Sequence, residues 1–265
     1  MMKLAWGSVP EAVSYHNHSD MSDGASSPEE LCRAGKRSGL REFGVSDHWV
    51  EHPREGSDQD SWRLAPSRLD EYTERLLKLK HELDDDGFTL RLGLEVDFFF
   101  ENADEVLTRL RAYPFDYLIG SVHFAGLFGI DHAREDWLTL DPAEREEVCA
   151  IYWKKLEGAA ARREFTFLGH LDLPKKFGFV DSSSSFAPAL RVLDVLARNG
   201  GAIELNTSGW FKTCAEAYPS PAILRAAAAR RIPAVVSADA HHPDHVIRAF
   251  DRGRALLREA GYPLA

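Results

Sequence analysis

The chain has 265 residues and a formal charge of −10, which weighs against nucleic acid or an anionic membrane as partner and leaves a small anionic substrate open. An apolar fraction of 44%, with six Trp and fifteen Phe, suits a packed α/β protein of one large domain or two small ones. Cys32, Cys149 and Cys214 are far apart and lack any C-x-x-C spacing, so a disulfide framework and a cysteine zinc site are not expected and a reducing cytoplasm fits. Residues 1–10 lack the apolar stretch of a signal peptide, and no run of about 18 apolar residues predicts a membrane span.

The first apolar run, residues 12–15, predicts a strand that ends in His16-Asn17-His18, with Asp23 beyond it. Ser27-Pro28-Glu29-Glu30 then offers an N-cap, a Pro at the first helical position and a Glu at the third, the pattern of a capping box. Residues 42–47 predict a second strand leading to His48. A polar loop over residues 49–66 follows, and then a helix over residues 67–85, where Leu69, Tyr72, Leu76, Leu79 and Leu83 form one apolar stripe.

The third strand is the clearest, because Phe88, Leu90, Leu92, Leu94 and Val96 alternate with Thr89, Arg91, Gly93, Glu95 and Asp97. Period two sets Glu95 on the face opposite the apolar row, inside a barrel if that row packs under helices. A carboxylate there needs a cation or hydrogen-bond donors. Further strands are predicted at residues 116–123, 165–170, 202–206 and 234–239. Asp141-Pro142-Ala143-Glu144 and Ser220-Pro221 mark helix starts, and Gly200-Gly201 closes a helix beginning near Phe186.

Seven strands each followed by a helix predict a (β/α)7 barrel, a single TIM-like domain over residues 1–265, with an open doubly wound sheet as the alternative. Six of the seven strand ends carry His, Asp or Glu; the seventh ends in Asn206-Thr207-Ser208-Gly209. A barrel gathers such ends at one mouth, whereas an open sheet spreads them along a line. The gathered set is His16, His18, Asp23, His48, Glu95, His123, His170, Asp239 and His241.

Imidazole mixed with carboxylate suits zinc, iron or manganese, and several such groups together predict a polynuclear metal hydrolase. Such ions would lower the pKa of bound water and make hydroxide available near neutral pH. Asn206, with Asp172, is a candidate for orienting ligand histidines or the substrate. His52 and His242 are candidate proton donors.

The chain resembles the PHP (polymerase and histidinol phosphatase) superfamily, and within it the stand-alone histidinol-phosphate phosphatases. The matching stretches are His16-Asn17-His18 with Ser22-Asp23-Gly24, Ser46-Asp47-His48, Gly93-Leu94-Glu95, Gly120-Ser121-Val122-His123, Gly169-His170-Leu171-Asp172, Glu204 to Gly209, and Ser237-Ala238-Asp239-Ala240-His241. They occur in family order, and residues 123–131 resemble the phosphatases in particular. The resemblance implies a distorted (β/α)7 barrel in which His16, His18, Glu95 and Asp239 hold one ion. By it, Glu95 bridges to a second ion on His123 and His170, while Asp23, His48 and His241 hold a third. One departure is Asp23, where several histidinol phosphatases carry His.

The implied reaction is hydrolysis of L-histidinol phosphate to histidinol and phosphate in histidine biosynthesis, by a metal-bridging hydroxide held beside Glu95 and Asp239, with two or three divalent ions neutralising the phosphate oxygens under in-line attack and Lys175 and Lys176 as candidates for a phosphate clamp. The alternatives are a PHP-type phosphoesterase acting on nucleotides or nucleic-acid ends, an amidohydrolase-type C–N hydrolase, and a metal-binding module without turnover. Amidohydrolases commonly place a modified Lys on a central strand, and no predicted strand end here offers one.

Overall fold

The structure, a computed structural model, describes residues 2–7, 12–54 and 62–263. Parts of the N-terminal segment and of the expected polar loop, residues 55–61, therefore lie outside the described residues. In chain order the elements are β1 (Val13–Ser14), α1 (Pro28–Arg37), β2 (Glu42–Val45), β3 (His48–Trp49), α2 (Leu69–Leu83), β4 (Thr89–Asp97), α3 (Ala103–Leu110) and β5 (Tyr117–Ser121). A small hairpin, β6 (Phe124–Ala125) with β7 (Phe128–Gly129), precedes α4 (Arg134–Leu138) and α5 (Pro142–Ala160). The chain continues with β8 (Phe167–Leu168), α6 (Phe186–Asn199), β9 (Ile203–Asn206), α7 (Pro221–Ala229), β10 (Ala234–Ser237) and α8 (Phe250–Glu259).

The main sheet runs β1-β2-β4-β5-β8-β9-β10, every neighbouring pair parallel. β3 resumes β2 along the edge of β4 after a break at Ser46 and Asp47, so the eight strands of this sheet supply seven staves. The barrel is nearly closed where Asn17 bridges Ala240: the His18 amide donates to the Ala240 carbonyl at 2.8 Å and the Ala240 amide to that of His16 at 3.2 Å. A mostly parallel (β/α)7 barrel is therefore the fold. Several staves are shorter than their apolar runs, β8 most of all. His170 turns out of the ladder with φ at 20°.

Local signals explain the helix starts. Asp141 and Glu144 form a reciprocal capping box ahead of α5. At α1 only half of the expected box is present among the described residues: Ser27 accepts the Glu30 amide at 3.3 Å, with no return bond from the Glu30 side chain. Along α2, Leu69, Tyr72, Leu76, Leu79 and Leu83 are the buried stripe.

Alternation along the strands sorts the barrel interior into layers. Leu90, Leu92, Leu94 and Val96 of β4 pack outward into the core under the helices. A separate cluster of Val13, Tyr15, Tyr117, Ile119, Phe167, Ala202 and Val235 plugs the interior below the mouth. Above that plug the inward positions turn polar: Glu95 follows Gly93, Ser121 follows Ile119, Glu204 follows Ala202, and Ser237 follows Val235. The plug excludes water from beneath the polar layer, so the charges above it must satisfy one another or a bound cation.

The Tyr117 ring lies across two glycines of neighbouring strands, and a Cβ on Gly44 or Gly93 would overlap it. Its hydroxyl donates to the Tyr15 carbonyl at 2.5 Å, so the ring cannot swing aside cheaply. Gly93→Ala is expected to lower stability by about 1–3 kcal/mol through overpacking. An unchanged urea midpoint would show that the plug yields instead.

Candidate metal centre

All nine ligand-type side chains meet at the carboxyl ends of the staves, with Glu95 in the middle. One carboxylate oxygen, Oε2, faces His48 Nδ1 at 2.8 Å, His16 Nε2 at 3.2 Å and His18 Nε2 at 3.6 Å. The other, Oε1, faces His170 Nε2 at 2.8 Å and His123 Nε2 at 3.6 Å, and accepts the Ser121 hydroxyl at 2.6 Å. Glu95 is 1% exposed, so five imidazoles surround one buried anion.

Asp239 completes the inner ring, its Oδ1 3.2 Å from His18 Nε2 and 3.5 Å from His16 Nε2. Its backbone holds φ at 51°, a left-handed conformation that side-chain-bearing residues adopt at a cost of about 1–3 kcal/mol and that clusters at functional sites. Nearer the rim, Asp23 faces His241 Nε2 at 3.2 Å and His48 Nε2 at 3.6 Å.

Within 4.8 Å of one another lie the donor atoms of four groups: His18, Asp23, His48 and His241; His16, His18 and Glu95; His16, His170 and Asp239; His48, Glu95 and His123. His48 thus stands between the Asp23 group and Glu95, and His170 between Asp239 and Glu95, a more shared arrangement than three separate sets. His16 Nε2, both His18 nitrogens, His48 Nδ1 and Glu95 Oε2 are buried without a hydrogen-bond partner. Buried imidazole and carboxylate donors converging in this way fit divalent metal ions.

The sequence reading missed the residues that aim these donors. Glu204, buried on β9, accepts from His16 Nδ1 at 2.9 Å and from the His170 amide at 2.5 Å, and it also takes the Ser237 hydroxyl. Asp97 lies 3.5 Å from His123 Nδ1. Both stand at inward positions of clear strands, Asp97 two residues after Glu95 and Glu204 two before Asn206; strand parity was the signal that could have found them. Glu204→Gln keeps the shape and removes the charge, so metal affinity is expected to fall about 10- to 100-fold. Equal metal retention on dialysis of variant and parent would contradict that role.

Burial opposes every charge in the cluster, and the neighbours decide the outcome. Burial alone would raise the Glu95 carboxyl, but His16, His48 and His123 hold it well below the usual carboxylate range. Burial, with His48 and His241 alongside, pushes His18 down to about 3. Burial also works to lower His16 and His241, yet Glu204, Glu95 and Asp239 hold His16 well above its usual value, and the bond to Asp23 lifts His241 to about 9. In the metal-free fold these two imidazoles therefore carry protons at neutral pH, and a metal must displace them. Mn²⁺ affinity is expected to rise with pH between about 6 and 8.5, with net proton release in calorimetric titrations run in two buffers. A flat affinity would contradict these proton positions.

The other sequence candidates are placed differently. Lys175 is not a phosphate clamp: it is 1% exposed and its ammonium is spent on Asp172 at 3.0 Å, Glu216 at 2.7 Å and the Ala217 carbonyl at 2.7 Å. Asp172 is likewise drawn into the fold, accepting Lys175 and the Ser220 amide. Lys176 is tied to Asp131, through its carboxylate at 3.0 Å and its carbonyl at 2.8 Å. Asn206 is bonded to a ligand-type residue and to its neighbour: its amide donates to Glu204 at 3.0 Å and Asp239 at 3.2 Å while its oxygen accepts the Ser208 amide. His52 has both nitrogens engaged, Nε2 with the Gly126 carbonyl at 2.8 Å and Nδ1 with the Arg54 amide at 3.2 Å, and so is corrected from proton donor to loop tie. His242 caps a short helical turn by accepting the Asp244 amide at Nδ1. Beside the cluster, Trp62 stands edge-on to His48 at 4.9 Å and stacks on Phe124 at 6.1 Å, an aromatic wall of the mouth.

Known proteins share this arrangement of chain and fold. A PHP domain family model matches residues 14–208. A Deinococcus radiodurans protein described as a "probable histidinol-phosphatase" is 36% identical over 241 residues, covering 88% of this chain and 87% of that one. The histidinol-phosphatase of Bacillus subtilis is 29% identical over 205 residues, covering 71% of this chain and 76% of that one. The crystal structure of histidinol phosphate phosphatase from Lactococcus lactis, complexed with zinc, L-histidinol and phosphate, has the same fold: TM-score 0.80 at 21% identity, over 96% of this chain and 95% of that chain. With most of its length matched by the family model, and a relative above 30% identity along nearly all of it, the chain belongs to the PHP domain family.

Proposed function

We propose that this protein is a metal-dependent phosphomonoesterase that hydrolyses L-histidinol phosphate to L-histidinol and phosphate, a step of histidine biosynthesis. The observation that carries the reading is the Glu95-centred ring of buried imidazoles at the barrel mouth. Two to three divalent ions, zinc, iron or manganese, would be held by His16, His18, Asp23, His48, Glu95, His123, His170, Asp239 and His241. Bound there, they would supply a nucleophilic water acidified to near-neutral pKa and neutralise charge on the phosphate oxygens.

The chain's own residues do the positioning. Ser121 fixes the rotamer of Glu95, Glu204 sets the orientation of His16, and Asn206 holds Asp239 toward His18. The aromatic wall of Trp62 and Phe124 suits a substrate that carries an imidazole ring. His242, next to His241 and with Nε2 unbonded among the described residues, is the remaining candidate for returning a proton to the departing alcohol. The named relatives support the substrate. The three cysteines, none in a disulfide, suit a cytoplasmic enzyme.

Phosphate release from a panel of phosphomonoesters, with metal content read on the same preparation, tests the reading. Histidinol phosphate should exceed p-nitrophenyl phosphate and a mononucleotide in kcat/KM. Equal values would sink the substrate, and fewer than two metals per chain under every loading condition would sink the mechanism.

A further inference from the structure

Lys175 is buried in its own network and Lys176 is tied to Asp131, so both expected lysines already hold protein acceptors. Another cation stands at the same mouth. Arg248 follows the His241 loop, and its carbonyl accepts the Thr207 hydroxyl at 2.7 Å, which ties it to the loop that also carries Asn206 and Phe211. Its guanidinium carbon lies 4.0 Å above the centre of the Phe211 ring. Stacking of this kind occupies the flat face of the guanidinium and leaves its edge, with the fork of N–H donors, pointing past the ring.

Among the described residues that edge has no protein acceptor. Arg248 Nε is buried without a hydrogen-bond partner, and no carboxylate lies within ion-pair distance of the side chain among the described residues. Thr207, which holds the Arg248 backbone, lies between Asn206 and Ser208, whose side chains both bond Asp239, so Arg248 is anchored beside the ligand ring; burial lowers its guanidinium from the usual range and Asp239 acts to raise it. Phe211 is 53% exposed, so the shelf is open to solvent and reachable by a ligand. A part-buried cation with uncommitted donors is costly to keep unless something outside the fold completes it.

We propose that Arg248, braced flat on Phe211, is a specificity-determining residue that grips the non-bridging phosphate oxygens of the substrate through its open guanidinium edge. The proposal rests on the phosphomonoesterase reading for its substrate. Planar, two-pronged donors match a phosphate better than an ammonium does, so Lys at this position is a poor replacement.

The test compares wild type, Arg248→Ala, Arg248→Lys and Phe211→Ala as metal-loaded proteins. Inorganic phosphate is titrated by calorimetry, L-histidinol inhibition is measured in parallel, and metal content is read on each sample. Arg248→Ala should weaken phosphate binding and raise KM for histidinol phosphate about 10- to 100-fold, with histidinol inhibition and metal content unchanged. Arg248→Lys should fall between, and Phe211→Ala should weaken phosphate by a smaller factor as the guanidinium loses its shelf. Unchanged phosphate affinity in Arg248→Ala overturns the proposal. So does equal weakening of phosphate and histidinol, or loss of metal, either of which marks a structural role. If Arg248→Ala does not fold, Arg248→Lys is read by the same criteria. If wild type binds phosphate but releases none from histidinol phosphate, the substrate reading fails while the phosphate titrations still decide the role of Arg248.

Discussion

Glu95→Ala is expected to abolish phosphate release, by about 10³-fold or more, and to remove at least one metal ion per chain. The size follows from the several kcal/mol that a Lewis-acidic metal contributes to a phosphoryl transition state, all of which goes if the ion goes. No neighbour can substitute, because both oxygens of Glu95 are already shared among His16, His18, His48, His123 and His170. Asp239 lies on the His16, His18 and His170 side of the ring and beside His241, and Asp97 sits behind His123. Glu95→Gln is the sharper variant, since it keeps the volume inside a packed barrel and changes only charge and donor character. Metal analysis beside turnover decides the matter: a variant that keeps full metal content and full activity would show that Glu95 does not join the ions.

Removing the metals with a chelator should have the second largest effect, on activity and on stability together. A ligand that binds only the folded protein stabilises it by RT ln(1 + [L]/Kd), about 4 kcal/mol at a thousandfold excess over Kd. For a chain of this size that corresponds to a fall in Tm of roughly 10 °C on stripping, recovered when the ion is restored. Without the ions, the cluster keeps His18 neutral and His241 protonated, a compromise among groups that cannot all be satisfied in a dry layer. The measurement is a thermal melt of stripped and reloaded protein, paired with phosphate release. A midpoint that does not move would mean that the ring is stable as a hydrogen-bonded network and that the donors are not metal ligands.

Much of the site was legible in one dimension because strand periodicity is a local property. Glu95 alternates with Leu94 and Val96, so its inward direction follows from its neighbours alone, and the other ligand-type residues follow apolar runs closely enough to mark strand ends. Helix starts were equally readable, since an N-cap acts within three residues, as Asp141 and Glu144 do. The failures share one cause. Lys175 read as a phosphate clamp, and only the fold brings Glu216 and Ala217 to its ammonium, 41 and 42 residues away. His52 read as a spare acid, and its partner Gly126 is 74 residues distant.

The sequence by itself determined the seven-stave barrel, which nine ligand-type side chains meet and the pole at which they gather, because these depend on alternation, capping and order along the chain. Tertiary structure alone decided how the donors are shared, that Glu204 aims His16 across 188 residues, and that Arg248 rather than Lys175 keeps open donors at the mouth. The physical reason is that a side chain's direction is set by its own backbone, whereas the hydrogen bonds it makes are set by whatever closure of the barrel brings within about 3 Å.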